Sequence, residues 1–210
     1  MASLTVTMTD EPIRPAATVV LWREGTEGPQ VLMGQRGEGA AFMPSKFVFP
    51  GGRVDLEDQA AARPGFLTAD CARRLMLMVP DDAPAPETLV ATALRELTEE
   101  TGLNLAGMEH PSLRFIFRAI TPPGRSRRFD ARFLLAHADS LDDNREDFSL
   151  ASGELSHLRW LPLPEARALD LPFITEVVLA EVAALVTGHD QPGVPFFDNS
   201  GTTPQFRRLV

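Results

Sequence analysis

Arg95-Glu96-Leu97-Thr98-Glu99-Glu100-Thr101-Gly102-Leu103 gathers three carboxylates into one short stretch. On a helix turning about 100° per residue, Glu99 and Glu100 fall roughly 60° and 40° to either side of Glu96, so all three share one narrow strip. Like charges at that spacing repel one another unless a cation lies among them. Mg²⁺ or Mn²⁺ suits such a set of hard oxygens, and Arg95, four residues before Glu99, can brace one acid while the others bind metal. The alternative for a run of this kind is a solvated acidic helix face.

The helix that must carry the strip is expected to start near Pro86, where proline suits the first turn and Glu87 complements the positive end of the helix dipole, and to stop at Gly102. Val90, Ala93, Leu94, Leu97 and Thr101 form an apolar strip beside the acids, which lets the helix pack inward while presenting its carboxylates to a cleft. Strands are expected at 16–22, 30–36, 46–49, 113–120, 129–136 and 155–161, a small helix at 68–79, and a second long, apolar helix at 173–186 stopped by Gly188. Strands, a helix, more strands and another helix predict an α/β/α sandwich around a mixed sheet. The segment 188–210, rich in Pro and Gly, reads as an extended tail whose Phe196 and Phe197 dock on the body or on a partner subunit of a homodimer.

The strip resembles the signature of the Nudix hydrolases, which runs Gly, five residues, Glu, seven residues, Arg-Glu, an aliphatic, any residue, Glu-Glu, any residue, Gly, an aliphatic. Arg95 to Leu103 match it throughout, and Glu87 stands at the required distance before Arg95. Phe49-Pro50-Gly51-Gly52-Arg53-Val54-Asp55 resembles the opening Gly-Gly turn, separated from the rest by an insertion at about 56–86. A similar interruption occurs in the branch that includes acyl-CoA diphosphatases. The resemblance implies a metal-dependent hydrolase cleaving the diphosphate of a nucleoside diphosphate derivative, CoA or acyl-CoA ahead of ADP-ribose. The rival is a non-catalytic nucleotide-sensing module of the same fold. It further implies Glu96, Glu99, Glu100 and the Gly51 carbonyl as metal ligands, Arg95 as their brace, and Glu154 as an auxiliary acid that serves as general base or outer metal contact.

Arg125, Arg127, Arg128 and Arg132 concentrate positive charge in a 210-residue chain of net charge −9. Forked guanidinium groups suit phosphate, so Arg128 and Arg132, with Arg53 in the Gly-Gly turn, are candidate substrate contacts; the other reading is a charged hairpin turn. The acidic balance argues against nucleic acid and anionic lipid as partners and leaves a small diphosphate as the ligand. No apolar run is long enough to span a bilayer, the residues after Met1 lack a signal-peptide pattern, and the single cysteine, Cys71, permits no internal disulfide; a cytoplasmic protein is expected. His110, His137, His157 and His189 have no metal-ligand spacing, and Trp160, Phe42 and Phe47 read as core more readily than as base-stacking rings.

Overall fold

Two long strands, β1 (Ile13–Gly25) and β2 (Gly28–Arg36), are joined by a tight turn and paired antiparallel with Trp22 opposite Val31. The computed structural model describes residues 11–106, 112–142, 144–190 and 192–210. After β2 come β3 (Phe47–Val48) and β4 (Gly51–Arg53), then the short helices α1 (Leu56–Ala60) and α2 (Ala69–Leu75) and the long helix α3 (Pro86–Thr101). The second half carries β5 (Arg114–Ile120), β6 (Arg128–His137), β7 (Leu155–Pro162), α4 (Leu163–Arg167), α5 (Phe173–Val186), β8 (Val194–Asp198) and β9 (Gln205–Leu209).

All the strands join one sheet in the order β3-β2-β1-β6-β5-β8-β9, with β4 on β1 and β7 on β2. It is mixed, since β1 runs parallel to β6 and β5 parallel to β8 while the other pairs are antiparallel. Alternation along β1 divides the interior in two. Ala17, Val19 and Leu21 meet Leu89, Val90, Ala93, Leu94 and Leu97 of α3, whereas Val20 joins Val31 and Met33 under Val178, Leu179 and Val182 of α5. The result is the α/β/α arrangement expected from the order of elements.

The segment 56–86 lies over the α3 side of this core. Phe66 and Leu75 are buried there, Leu67, Cys71 and Leu77 pack beside them, and Leu113 donates its N–H to the Phe66 carbonyl at 2.9 Å. The helix expected at 68–79 stops at Leu75 instead. Met78 adopts a left-handed backbone (φ 53°) and Pro80 disfavours helix at the residue before it, so the apolar spacing continues beyond the helix. At the other end of the chain, 188–210 is not an extended tail. It closes the sheet as a hairpin, with Phe196 opposite Arg118 across β5 and β8 and Phe206 opposite Phe197 across β8 and β9.

Candidate active site

Helix α3 has Pro86 in its first turn and ends on Gly102 in the left-handed conformation (φ 78°), whose N–H returns to the Thr98 carbonyl at 2.8 Å. With its apolar strip on the sheet, its acidic strip faces β4. Glu100 is only 2% exposed, and its Oε2 accepts the Gly51 N–H at 2.8 Å, which joins the turn to the helix. Gly52 lies still closer: a Cβ there would stand 2.2 Å from Glu96 Oε1, so any side chain at this position would displace the Glu96 carboxylate. The Glu99 side chain, 53% exposed, faces solvent at the open end of the strip.

Arg95 holds the arrangement together. Its Nη1 donates to Glu96 Oε1 at 2.8 Å and to Glu99 Oε2 at 3.1 Å, and its Nη2 to the Arg53 carbonyl at 3.2 Å. Its Nε and Nη2 also clasp Asp58, at 2.9 Å to Oδ1 and 3.0 Å to Oδ2. Asp58 is 2% exposed and accepts further bonds from Thr92 Oγ1 (2.8 Å) and the Asp55 N–H (2.9 Å). The carboxylate that meets Arg95 is thus Asp58, while Glu87 sits in the first turn of α3, the place expected for it. Skipping five residues after Gly52 also arrives at Asp58, a signal masked by the shorter acid and by its place within the 56–86 segment. Asp55, for its part, pairs with Arg53 Nε at 3.0 Å.

Burial and charge set the ionisation of these groups. Burial pushes the Glu100 carboxyl up to about 8; the Gly51 N–H and Arg36 oppose the rise, and the Glu96 and Glu154 charges add to it. Burial likewise raises Glu96, against the pull of Arg95. At Asp58 burial also pushes upward, but hydrogen bonds from Arg95, the Asp55 N–H and Thr92 outweigh it and hold the carboxyl below its ordinary value.

The strand β7 brings Glu154 into the neighbourhood. Ser152 donates its N–H to the Glu99 carbonyl at 2.7 Å, Leu155 pairs with Arg36 across β7 and β2, and the exposed Glu154 between them acts electrostatically on both Glu96 and Glu100. Like Asp58, Arg36 escaped sequence reasoning, since a lone arginine at a strand end has no local pattern to mark it.

The arginines singled out in the sequence lie elsewhere. Arg128 and Arg132 are 2% and 1% exposed. Arg128 donates to the carbonyls of Thr121, Asn199 and Ser200, tying β6 to the C-terminal hairpin. Arg132 bonds the Asp130 carbonyl at 2.8 Å and lies 3.0 Å from its Oδ2. Asp130 also takes a two-pronged clasp from Arg118 (2.8 and 2.7 Å). Alternation does place Arg128, Asp130 and Arg132 on one face, but that face is interior, so as substrate contacts Arg128 and Arg132 are corrected to structural residues. Arg53 stays at the turn, half exposed, with its guanidinium on Asp55. Trp160 is core and donates its indole N–H to the Arg145 carbonyl; Cys71 packs against the core; His110 lies outside the described residues.

The donor set fits a divalent ion bound through few protein ligands. Among the described residues no three His, Cys, Asp or Glu side chains converge closely enough to hold an ion unaided. Glu96, Glu99 and Glu100 nevertheless offer hard oxygens around a side-chain-free Gly51-Gly52 turn, and Mg²⁺ keeps several waters and completes its shell with substrate phosphate.

A family model described as the NUDIX domain matches residues 83–182, beginning after α1 and α2. Among solved structures, a NUDIX hydrolase from Alicyclobacillus acidocaldarius superposes with TM-score 0.59 at 29% identity, covering 82% of this chain and 92% of that one. A C. elegans Ap4A hydrolase superposes with TM-score 0.52 at 18% identity (84% and 99% covered). The NUDIX domain of Shewanella oneidensis NrtR, solved with ADP ribose, gives TM-score 0.50 at 16% identity (84% and 90% covered). No curated protein matches the chain. With the acidic strip, the Gly-Gly turn and the layered mixed sheet, these likenesses lead to one conclusion: the chain has the fold of the Nudix hydrolases, and its residues 83–182 are similar to the NUDIX domain.

Proposed function

We propose that this protein is a Mg²⁺- or Mn²⁺-dependent Nudix hydrolase that cleaves the diphosphate of a nucleoside diphosphate derivative by attack of water on phosphorus. The observation that carries the reading is the joining of Glu96 and Glu100 to the Gly51-Gly52 turn, with Arg95 bridging Glu96 to Glu99. The bound ion supplies charge neutralisation on the anhydride and a lowered pKa for the attacking water. Arg95 fixes one oxygen each of Glu96 and Glu99 and leaves the other oxygen of each for ligation. Asp58 fixes Arg95 in turn, and Glu154, whose carboxylate makes no side-chain hydrogen bond among the described residues, is the group placed to accept the proton of the attacking water. The regulatory alternative is disfavoured, because a sensing module has no need of the full set of Arg95, Glu96, Glu99 and Glu100.

For the substrate, the interruption between the Gly-Gly turn and α3, similar to that of the acyl-CoA diphosphatase branch, favours CoA or acyl-CoA over ADP-ribose. The test is a panel of CoA, an acyl-CoA, ADP-ribose and a dinucleoside tetraphosphate with Mg²⁺ and with Mn²⁺, scored for phosphate-bearing products. Turnover of at least one member that needs the metal is expected, together with a raised melting temperature on adding Mg²⁺. A stably folded protein that cleaves none of them with either metal would overturn the reading.

A further inference from the structure

Arg36 ends β2 on the sheet face that α3 covers. Leu32 of the same strand lies in the α3-side core, and with a two-residue period Gly34 and Arg36 point the same way. The strand is held there by main-chain bonds, Arg36 N–H to the Lys46 carbonyl (3.0 Å) and Ser45 N–H to the Arg36 carbonyl (3.1 Å), and by pairing with Leu155 of β7. The guanidinium is anchored by neither. Its Nε is buried without a hydrogen-bond partner, and among the described residues the side chain forms no ion pair.

The other arginines around α3 and the adjoining strands are engaged. Arg95 holds Asp58, Glu96 and Glu99; Arg118 and Arg132 share Asp130, and although Arg132 Nε is also without a partner its Nη groups are bound; Arg128 holds three carbonyls. A buried N–H without a partner costs free energy comparable to a lost hydrogen bond, which an oxygen of a ligand would recover. Beside the carboxylates of Glu96, Glu100 and Glu154, the ligand that brings oxygens to both a metal and a guanidinium is a phosphate chain.

We infer that Arg36 is a substrate-binding residue whose guanidinium takes a phosphoryl oxygen of the diphosphate. The inference rests on the hydrolase reading of the same site. The competing role is that of a fixed counterion for Glu100, which would serve the fold and be indifferent to the ligand.

Calorimetric titration separates the two, with ADP plus Mg²⁺ as the probe and adenosine as its phosphate-free counterpart. Arg36→Ala should weaken ADP about ten- to a hundredfold while leaving adenosine unchanged. Arg36→Lys should recover part of the loss, since it keeps the charge and loses the fork. With a turned-over substrate, Arg36→Ala should raise KM more than it lowers kcat. ADP affinity equal to that of the parent, equal losses for ADP and adenosine, or a parent protein that binds no ADP would each overturn the inference. Arg36-dependent ADP binding in a protein that hydrolyses no diphosphate would keep it and remove the hydrolase reading; turnover with Arg36-independent binding would do the reverse.

Discussion

The acidic strip of α3 and the arginine cluster of β5 and β6 both press like charges together on the same side of the sheet, and they differ in what satisfies them. In the cluster, Arg118 and Arg132 converge on Asp130, Arg118 adds the carbonyls of Leu77 and Met78, and its guanidinium lies 4.3 Å above the Phe196 ring. Those contacts connect the 56–86 segment, the central strands and the C-terminal hairpin, and nearly all of the groups are sealed from water. In the strip, one cation serves Glu96 and Glu99, Glu100 is left with a single main-chain donor, and Glu99 opens to solvent. Charge that folding satisfies is structural, while charge that folding leaves under-satisfied beside a cleft is available for a ligand.

The largest effect that would break this contrast concerns the strip. Glu99→Gln and Glu100→Gln keep shape and remove charge needed by a divalent ion, so each should cut turnover by several kcal/mol of transition-state stabilisation, roughly a thousandfold, with the fold intact by circular dichroism. Rates near those of the parent at saturating Mg²⁺ would return the strip to a solvated helix face.

The cluster should behave the opposite way. Asp130→Asn leaves Arg118 and Arg132 buried around a neutral amide, and loss of one partner from a buried charge group costs about 3–5 kcal/mol. Arg132, whose ionisation burial already lowers to about 10 against the help of Asp130, is the group most exposed to that loss. Denaturant unfolding should show the deficit, whereas kcat per folded molecule should stay within about threefold of the parent, because distant sites add independently. Lost catalysis at a temperature where the variant remains folded would show that the cluster belongs to the site after all.

How much of this was legible in the sequence depends on the reach of each contact. The bounds of α3 follow from Pro86 and Gly102, and the acidic strip from local periodicity, because both are written within a few residues. The bond from Arg95 to Asp58 joins positions 37 residues apart, which local spacing could not join. The alternation of Arg128, Asp130 and Arg132 assigns them one face, but only the packing of 56–86 and the hairpin decides that the face is inside. β8 and β9 are five residues each, and Pro195 lies within β8, a residue that ordinarily argues against a strand.

The smallest of these effects belongs to Asp58, which stands between the two regions in character: buried like the cluster, yet in contact with the site through Arg95. Asp58→Asn should weaken the clasp on Arg95 and cost about 1.5–3 kcal/mol of stability near neutral pH, the range for hydrogen bonds to a charged group. The pH dependence identifies the source. The folded carboxyl titrates below its ordinary value of 3.8, so on acidification the unfolded chain binds the proton first. The stabilisation is complete above 3.8 and is lost as the pH falls through the lower folded value. The stability gap between parent and Asp58→Asn should therefore hold steady from neutral pH down to about 5 and close progressively below the ordinary carboxylate range. A gap unchanged down to strong acid would mean that the aspartate acts by shape rather than by charge, and that Arg95 is positioned by Glu96 and Glu99 alone.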